Sequence, residues 1–430
     1  MSIFKYIRFL MKYRNIAEIL SRGMCVLKRY GLSTDKMQHY LNTYQTLLAR
    51  YDITPTLFIA GDVLEKHPQL IHTFMSRNVD LGIHGYRHID LAKLSFKKQK
   101  QQIERALKVF RRFSVTFSGF RCPYLNWNSH TLHVLEDCNI SWDSSKTLLW
   151  NVIDKKNTKE WSQWKRAISL YNYRDASHYI SLPHLQSSLL EIPVSLPDDA
   201  MLIDRLATTT THEMWTHILD ETYDKGELFT LQLHPERIIV CRDILESVVK
   251  ASKSYEPPVW IAPLSEIARW WREKETFHFK ITEEGNSRYH IEALCSERAL
   301  VLVKNAKVKC PDRDFFNGYT IIKGNHFTLE SSHRPAIGVS QRASSNVIKF
   351  LKNEGFFFEV SDKKEHYGIY CDGNMTIEEN ERKILHMIEQ SPFPLIRFWR
   401  WPDGTRSALS ITGDIDVVTL SDFFMRISGK

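Results

Sequence analysis

Between residues 34 and 275 the chain keeps switching between two apolar periods, and this alternation limits the folds open to it more than any other feature. The run STDKMQHYLNTYQTLLARYDI opens with a Ser/Thr/Asp cap and repeats its apolar residues at helical spacing, whereas PTLFIAG is a short continuous apolar stretch of strand length. A helix at LIHTFMSRN, a strand at VDLGIHG and a long amphipathic helix at SFKKQKQQIERALKVFRRF follow. The pattern continues through FSGFRCPY, NSHTLHVLEDCNI, SWDSS, LLEIPVS, IDRLATTTTHEMWTHILDETYDKG, LFTLQLHP and IAPLSEIARWWREK. Alternating units of this length imply a parallel sheet, so the expected class is α/β, with the sheet open or closed as a barrel.

From about residue 276 the texture changes. TFHFKIT, RYHIEALC, ALVLVKN, YTIIKGN, HFTLESS and AIGVSQ are short period-two or β-branched runs between polar turns, which predicts a small antiparallel β module over 276–360. Helical periodicity returns in SSNVIKFLKNEG and IEENERKILHMIEQS. RSALSITGDIDVVTLSDFFMRI then reads as an apolar strand, a turn with two aspartates and the start of a helix. The expected division is a basic amphipathic helix at 1–30, the main α/β part at 31–275, the β module at 276–360, and a helical return with a final strand at 361–430.

A chain of 430 residues with 43% hydrophobic and 25% charged residues can bury a substantial core, which argues against a largely disordered protein. Its surplus of eight positive charges is concentrated at the start, where seven basic residues face one acid, Glu18, and Ile3, Phe4, Ile7, Leu10 and Met11 form an apolar stripe. Such a helix suits an anionic membrane surface and equally suits docking on its own domain. No basic cluster carries a nucleic-acid reader motif, so nucleic acid is not an expected partner. Seven cysteines without a CxxC pair fit a reducing compartment. The opening residues also lack the uninterrupted apolar run of a secretory leader. The expectation is a cytoplasmic protein, peripheral at the inner membrane surface where the basic helix engages lipid.

The stretch GIHGYRHIDL sets His84 and His88 four residues apart. Gly85 interrupts any helical register and the preceding run reads as a strand, so the pair belongs on a strand-end loop. In TGDID, Asp414 and Asp416 alternate by two, which on extended backbone turns both carboxylates to one side. Two imidazoles and a carboxylate are a common divalent-metal set, suited to Zn²⁺ and to Co²⁺, Ni²⁺ or Fe²⁺, and three protein ligands leave positions for water and substrate. The second aspartate is then free for proton transfer. Plainer readings exist, since an HxxxH pair is often structural and a DxD turn often a cap. His130 and His133, with His67, His72 and His184, read as structural, and Trp270 and Trp271 as packing. Trp127 is a candidate stacking surface for a ligand.

GFRCPY adds Arg121, Pro123 and Tyr124, and LQLHP places His234 at a strand end before Pro235. In this combination the chain resembles the polysaccharide deacetylases of carbohydrate esterase family four, metal-dependent N-deacetylases that share a chitooligosaccharide-deacetylase homology domain. The resemblance spans residues 30–275 and 395–430 and implies a distorted (β/α) barrel. Family members begin with the aspartate strand, whereas here it comes last. Because residues 30–60 look like the helix and strand that should follow it, the resemblance implies a circular permutation, with the β module inserted ahead of the final strand.

Carried over residue by residue, the resemblance implies Asp414 as general base and Asp416 as metal ligand beside His84 and His88. Ile415 separates aspartates that are often adjacent in the family, so the two roles stay exchangeable. Gly85 stands where many members have Ser or Thr, an expected cost in loop order. Arg121 matches the arginine that holds the base, Tyr124 the position whose backbone N–H helps form the oxyanion hole, and His234 the histidine that protonates the departing amine. Gln232 replaces a common leucine, so Leu231 or Leu233 is expected to wall the acetyl methyl. Asp199 is taken as the supporting aspartate, with Asp198 and Asp143 as alternatives. The implied activity is hydrolysis of the N-acetyl group of a sugar in a polysaccharide, oligosaccharide or glycan precursor, with a divalent ion, zinc first, as cofactor. Two alternatives remain: hydrolysis of a non-sugar C–N bond, and a non-catalytic glycan-binding scaffold of the same fold.

Overall fold

The computed structural model describes residues 24–428 except 25, 77, 154–157, 207–210, 310, 374–376 and 378–379. The basic helix expected at 1–30 lies outside the described residues apart from its end, where residues 26–29 are helical.

One large sheet organises the chain. Its strands run in the order Leu228–Leu233, Ser407–Ile415, Thr56–Ile59, Asp80–Ile83, Gly119–Phe120, Trp142–Asp143, Leu189–Glu191 and His184–Gln186, and Val259–Ile261 also pairs with Ser407–Ile415. Every ladder is parallel except that of His184–Gln186 with Leu189–Glu191. The strand carrying the aspartates thus lies inside the sheet, flanked by the end strand Leu228–Leu233 and by Thr56–Ile59. It pairs Ala408 to Gly413 with Leu228 to Leu233, and Thr412 to Ile415 with Thr56 to Ile59. The sheet curls into a half-barrel of the expected α/β class. Leu57, Ile59, Leu81, Leu231 and Leu233 pack outward with helix residues such as Tyr44, Leu48, Ile103, Phe110 and Val248. Phe58, Trp142, Leu190, Leu228 and Ala408 pack inside. Two apolar faces explain why PTLFI is a continuous apolar run rather than an alternating one.

The runs from 276 onward do form strands. His278–Gly285, Arg288–Leu294, His326–Glu330 and Lys307–Val308 make one antiparallel sheet, and Pro311–Asp314, Thr320–Ile322, Val301–Lys304 and Leu395–Phe398 make another. Two features differ from the expected antiparallel module. Arg334–Val339 pairs in parallel with Phe358–Val360 and Tyr367–Cys371, an arrangement the helix Ser345–Glu354 makes possible by providing the crossover. The strand pairing also runs past residue 360, because Leu395–Phe398 returns to pair with Val301–Lys304.

This β-rich part packs against the end of the large sheet where Leu228–Leu233 and Ser407–Ile415 begin. Trp399 and Trp401 are fully buried there, and the Trp401 Nε1–H donates to the Gly226 carbonyl at 2.8 Å. Gly226 has φ +66°, and a Cβ on it would meet the Trp399 ring at 2.8 Å, so glycine is needed on two counts. Buried Glu354 accepts hydrogen bonds from Arg397 at 2.7 Å and from Arg400 at 2.6 and 3.1 Å, while Arg400 also reaches the Lys225 and Gly226 carbonyls. Removing one partner of a buried ion network leaves uncompensated charge. Glu354→Ala is therefore expected to cost about 3–5 kcal/mol in urea unfolding. A loss below about 1 kcal/mol, the level of an exposed pair, would show that this junction does not depend on the network.

Candidate active site

The parallel ladders carry the motif residues to the ends where the strands finish. His84 follows Asp80–Ile83, Arg121 follows Gly119–Phe120, His234 follows Leu228–Leu233, and Asp414 and Asp416 close Ser407–Ile415. The structure brings all of them together, and the two aspartates face different partners.

Asp414 is 3% exposed. Its Oδ1 accepts from Arg121 Nη1 at 3.0 Å and its Oδ2 from Gln232 Nε2 at 2.7 Å. Asp416 turns to the histidines: Oδ1 lies 3.4 Å from His84 Nε2 and Oδ2 3.1 Å from His88 Nε2. The His84 Nδ1–H donates to the Arg121 carbonyl at 2.9 Å, so in the neutral ring Nε2 keeps its lone pair.

These residues fit a divalent cation. His84 Nε2 and Asp416 Oδ1 are buried atoms with no hydrogen-bond partner among the described residues, and ligand atoms of His84, His88 and Asp416 lie within 4.8 Å of one another. Donors about 2.1 Å from a tetrahedral ion lie about 3.4 Å apart, the separation of those two atoms. Burial and the Arg426 guanidinium hold His88 well below the usual histidine range, which keeps it neutral as a ligand must be. Against burial, the Arg426 guanidinium holds Asp416 well below the carboxylate range.

Of the three candidate supporting aspartates, Asp199 is the one in contact with His234. It accepts from the His234 ring Nδ1 and from the His234 backbone N–H, both at 2.7 Å. Burial opposes a charge on His234, but Asp199 outweighs it and lifts the pKa to about 10. The two alternatives serve elsewhere: Asp198 accepts from the Met201 N–H, and Asp143 from Ser145. Tyr124 sits in left-handed conformation, φ +60°, on the turn after Arg121, with its ring 4.3 Å from that of His88. Gly85, at φ +71°, suits a turn that Ser or Thr would strain. The loop is tied instead by the start of the helix Gly61–Lys66, whose Gly61 and Asp62 N–H groups donate to the Gly85 and Tyr86 carbonyls.

Two site residues escape the sequence reading. Arg426, on the helix Leu420–Ser428, donates to Asp416 Oδ2 at 2.9 Å and to the Tyr124 hydroxyl at 3.3 Å. Gln232 was expected only to displace an apolar wall onto Leu231 or Leu233. That expectation is corrected: both leucines face the helix layer, because alternation along the strand turns Gln232 inward and its neighbours outward. Its pairing with Thr412 is the signal, since a polar residue at that register meets the side chain two residues further along the partner strand.

Residues 29–142 match the family model for polysaccharide deacetylase. Among solved structures, the chain is similar to a putative polysaccharide deacetylase from Mycobacterium smegmatis, at 19% identity over 55% of this chain and 78% of that one, with a TM-score of 0.43. It is similar also to a probable polysaccharide deacetylase from Pseudomonas aeruginosa PAO1, at 17% identity over 54% and 72%, TM-score 0.43. A family 4 carbohydrate esterase from Streptomyces lividans matches at 15% identity over 40% and 82%, TM-score 0.25. The family match takes in His84, His88, Arg121 and Tyr124, and it makes residues 29–142 similar to a polysaccharide deacetylase segment.

Proposed function

We propose that the chain is a divalent-metal-dependent N-deacetylase acting on an N-acetylated sugar of a glycan or glycan precursor. The observation that carries this reading is the partition of two carboxylates only two residues apart. One has both oxygens engaged by Arg121 and Gln232, with Oδ2 3.7 Å from His84 Nε2, and the other completes a His84, His88, Asp416 cluster with unpartnered donor atoms. A glycan-binding relic has no use for both a base and a protonated acid, which favours catalysis over the scaffold reading.

His84, His88 and Asp416 would hold the ion, and the chemistry it would supply there is Lewis acidity toward the amide carbonyl and the attacking water. Asp414, aimed by its two donors, takes the proton from that water as the C–O bond forms. The left-handed turn at Tyr124 offers its backbone N–H to the developing oxyanion, a donor typically worth about 3 kcal/mol. His234, kept protonated by Asp199, gives its proton to the nitrogen as the C–N bond breaks, so the amine leaves neutral and acetate remains. We read the strand order as a circular permutation of the family arrangement. Its support is that Ser407–Ile415 lies between, and parallel to, Leu228–Leu233 and Thr56–Ile59.

Two outcomes test these roles. Asp414→Asn should keep its bound metal and lose acetate release from N-acetylglucosamine oligomers by about 10²–10⁴-fold, whereas His84→Ala should lose metal and activity together. Metal lost from Asp414→Asn and retained in Asp416→Asn would mean that the two aspartates exchange roles. Asp199→Asn removes what raises His234, so its proton should be lost at neutral pH instead of near pH 10. The alkaline limb of the kcat profile should then fall by several pH units while metal content stays constant. An unmoved limb would take the acid's role away from His234.

A further inference from the structure

A second cleft lies between the edge of the large sheet and the helix Ser345–Glu354, outside the metal cluster. It is a cavity of about 320 Å³, lined among others by Lys146, Arg174, His184, Glu191, Lys349 and Phe350. None of these residues belongs to the machinery described above, and the deacetylation reading does not bear on them.

Lys146, Arg174 and Lys349 share the lining with Glu191, Glu354 and Glu381; Glu354 is taken up by Arg397 and Arg400, and Glu381 accepts from the Ile180 N–H at 2.9 Å. Lys146 is already committed, to Glu191 Oε2 and to Gln186 at 3.2 Å. Arg174 lies over the Tyr179 ring at 4.7 Å, and no ion pair with a described carboxylate engages it or Lys349. The cations act on one another. Burial, then Lys146, Arg174 and Lys349, push His184 down to about 4, and burial with Arg174 pushes Lys146 down to about 8. An anion placed among them relieves that repulsion. The second observation concerns Glu191, which is 2% exposed: its Oε1 has no hydrogen-bond partner among the described residues although it lines the cavity. A buried carboxylate oxygen left in this state calls for a donor. A ligand for this cleft therefore carries a negative group for Arg174 and Lys349 and a hydroxyl for Glu191. Phe350 is 7% exposed and adds an apolar wall of the kind that a sugar ring covers.

The geometry points to a binding site for an anionic sugar, a monosaccharide unit bearing a phosphate or a carboxylate, in the cleft between the sheet edge and the helix Ser345–Glu354. Arg174 takes the planar or tetrahedral anion through its fork of N–H donors and Lys349 adds a point charge. Glu191 Oε1 accepts from a ring hydroxyl. The cleft also touches the active-site loop, since the Lys146 Nζ lies 5.1 Å from the centre of the Trp127 ring, just beyond Tyr124.

Titration calorimetry with glucose 1-phosphate, glucuronate, glucose and inorganic phosphate tests the site. At least one of the two acid sugars should bind more tightly than glucose and than phosphate alone, and which of the two is tighter identifies the anion. The double variant Arg174→Gln/Lys349→Gln, altered only at exposed side chains, should weaken that binding at least about tenfold and leave metal content and acetate release unchanged. No binding of either acid sugar at millimolar concentration, binding no tighter than that of glucose or phosphate, or equal affinity in the double variant would each overturn the proposal. Because acetate release is read separately, failure here is distinguishable from failure of the deacetylase reading.

Discussion

Arg121 is the residue on which the site's geometry depends. Its guanidinium is fully buried, donates to Thr412 and Asp414 on one strand and to the Ser144 carbonyl and hydroxyl on another, and lies over the Phe58 ring at 4.1 Å. Its backbone carbonyl at the same time orients His84. One residue thus sets the direction of the proposed base through its side chain and the tautomer of a proposed metal ligand through its main chain. A buried cation with this many partners is tolerated because each guanidinium nitrogen finds an acceptor, and the Asp414 carboxylate compensates its charge. Lysine offers no such planar fork, so it is no substitute at this position.

The partner of Arg121 lies 293 residues away in sequence, and the sheet closes that distance by placing Ser407–Ile415 between Leu228–Leu233 and Thr56–Ile59. The same strand divides the molecule. Where it begins, Trp399, Trp401, Gly226 and the Glu354 network join it to the β-rich part, and where it ends, Asp414 and Asp416 meet the histidines. The β-rich part therefore packs at the strand end opposite the candidate site and does not cover it. Pairings of such long sequence separation carry a large closure cost, which here is offset by burial of the strand on both faces.

What could be read from the sequence follows what is local. HxxxH on a strand end, the alternation of Asp414 and Asp416, and His234 before Pro235 are short-range patterns whose geometry the backbone period dictates, and the structure places them together as that period requires. Gln232 and Arg426 were not legible in the same way. Gln232 faces Asp414 only because Leu228–Leu233 pairs in one register with Ser407–Ile415, and a slip of one residue would turn it outward. Arg426 reaches Asp416 only because a helix folds back after the aspartate strand. The boundary of the β-rich part was hidden for a similar reason, since Leu395–Phe398 finds its partner at Val301–Lys304. Asp199 was selected from three candidates by a contact with His234 that spans 35 residues, beyond any local pattern.

The central claim is that the aspartate strand and the HxxxH loop build one metal centre with Asp414 left free as a base. Anomalous diffraction at the zinc absorption edge on zinc-loaded crystals tests this most directly. The account predicts a single strong peak bonded to His84 Nε2, His88 and Asp416 Oδ1, with Asp414 outside bonding distance and still held by Arg121 and Gln232. A peak bonded to Asp414 in place of Asp416, or no peak at the histidines, would contradict it.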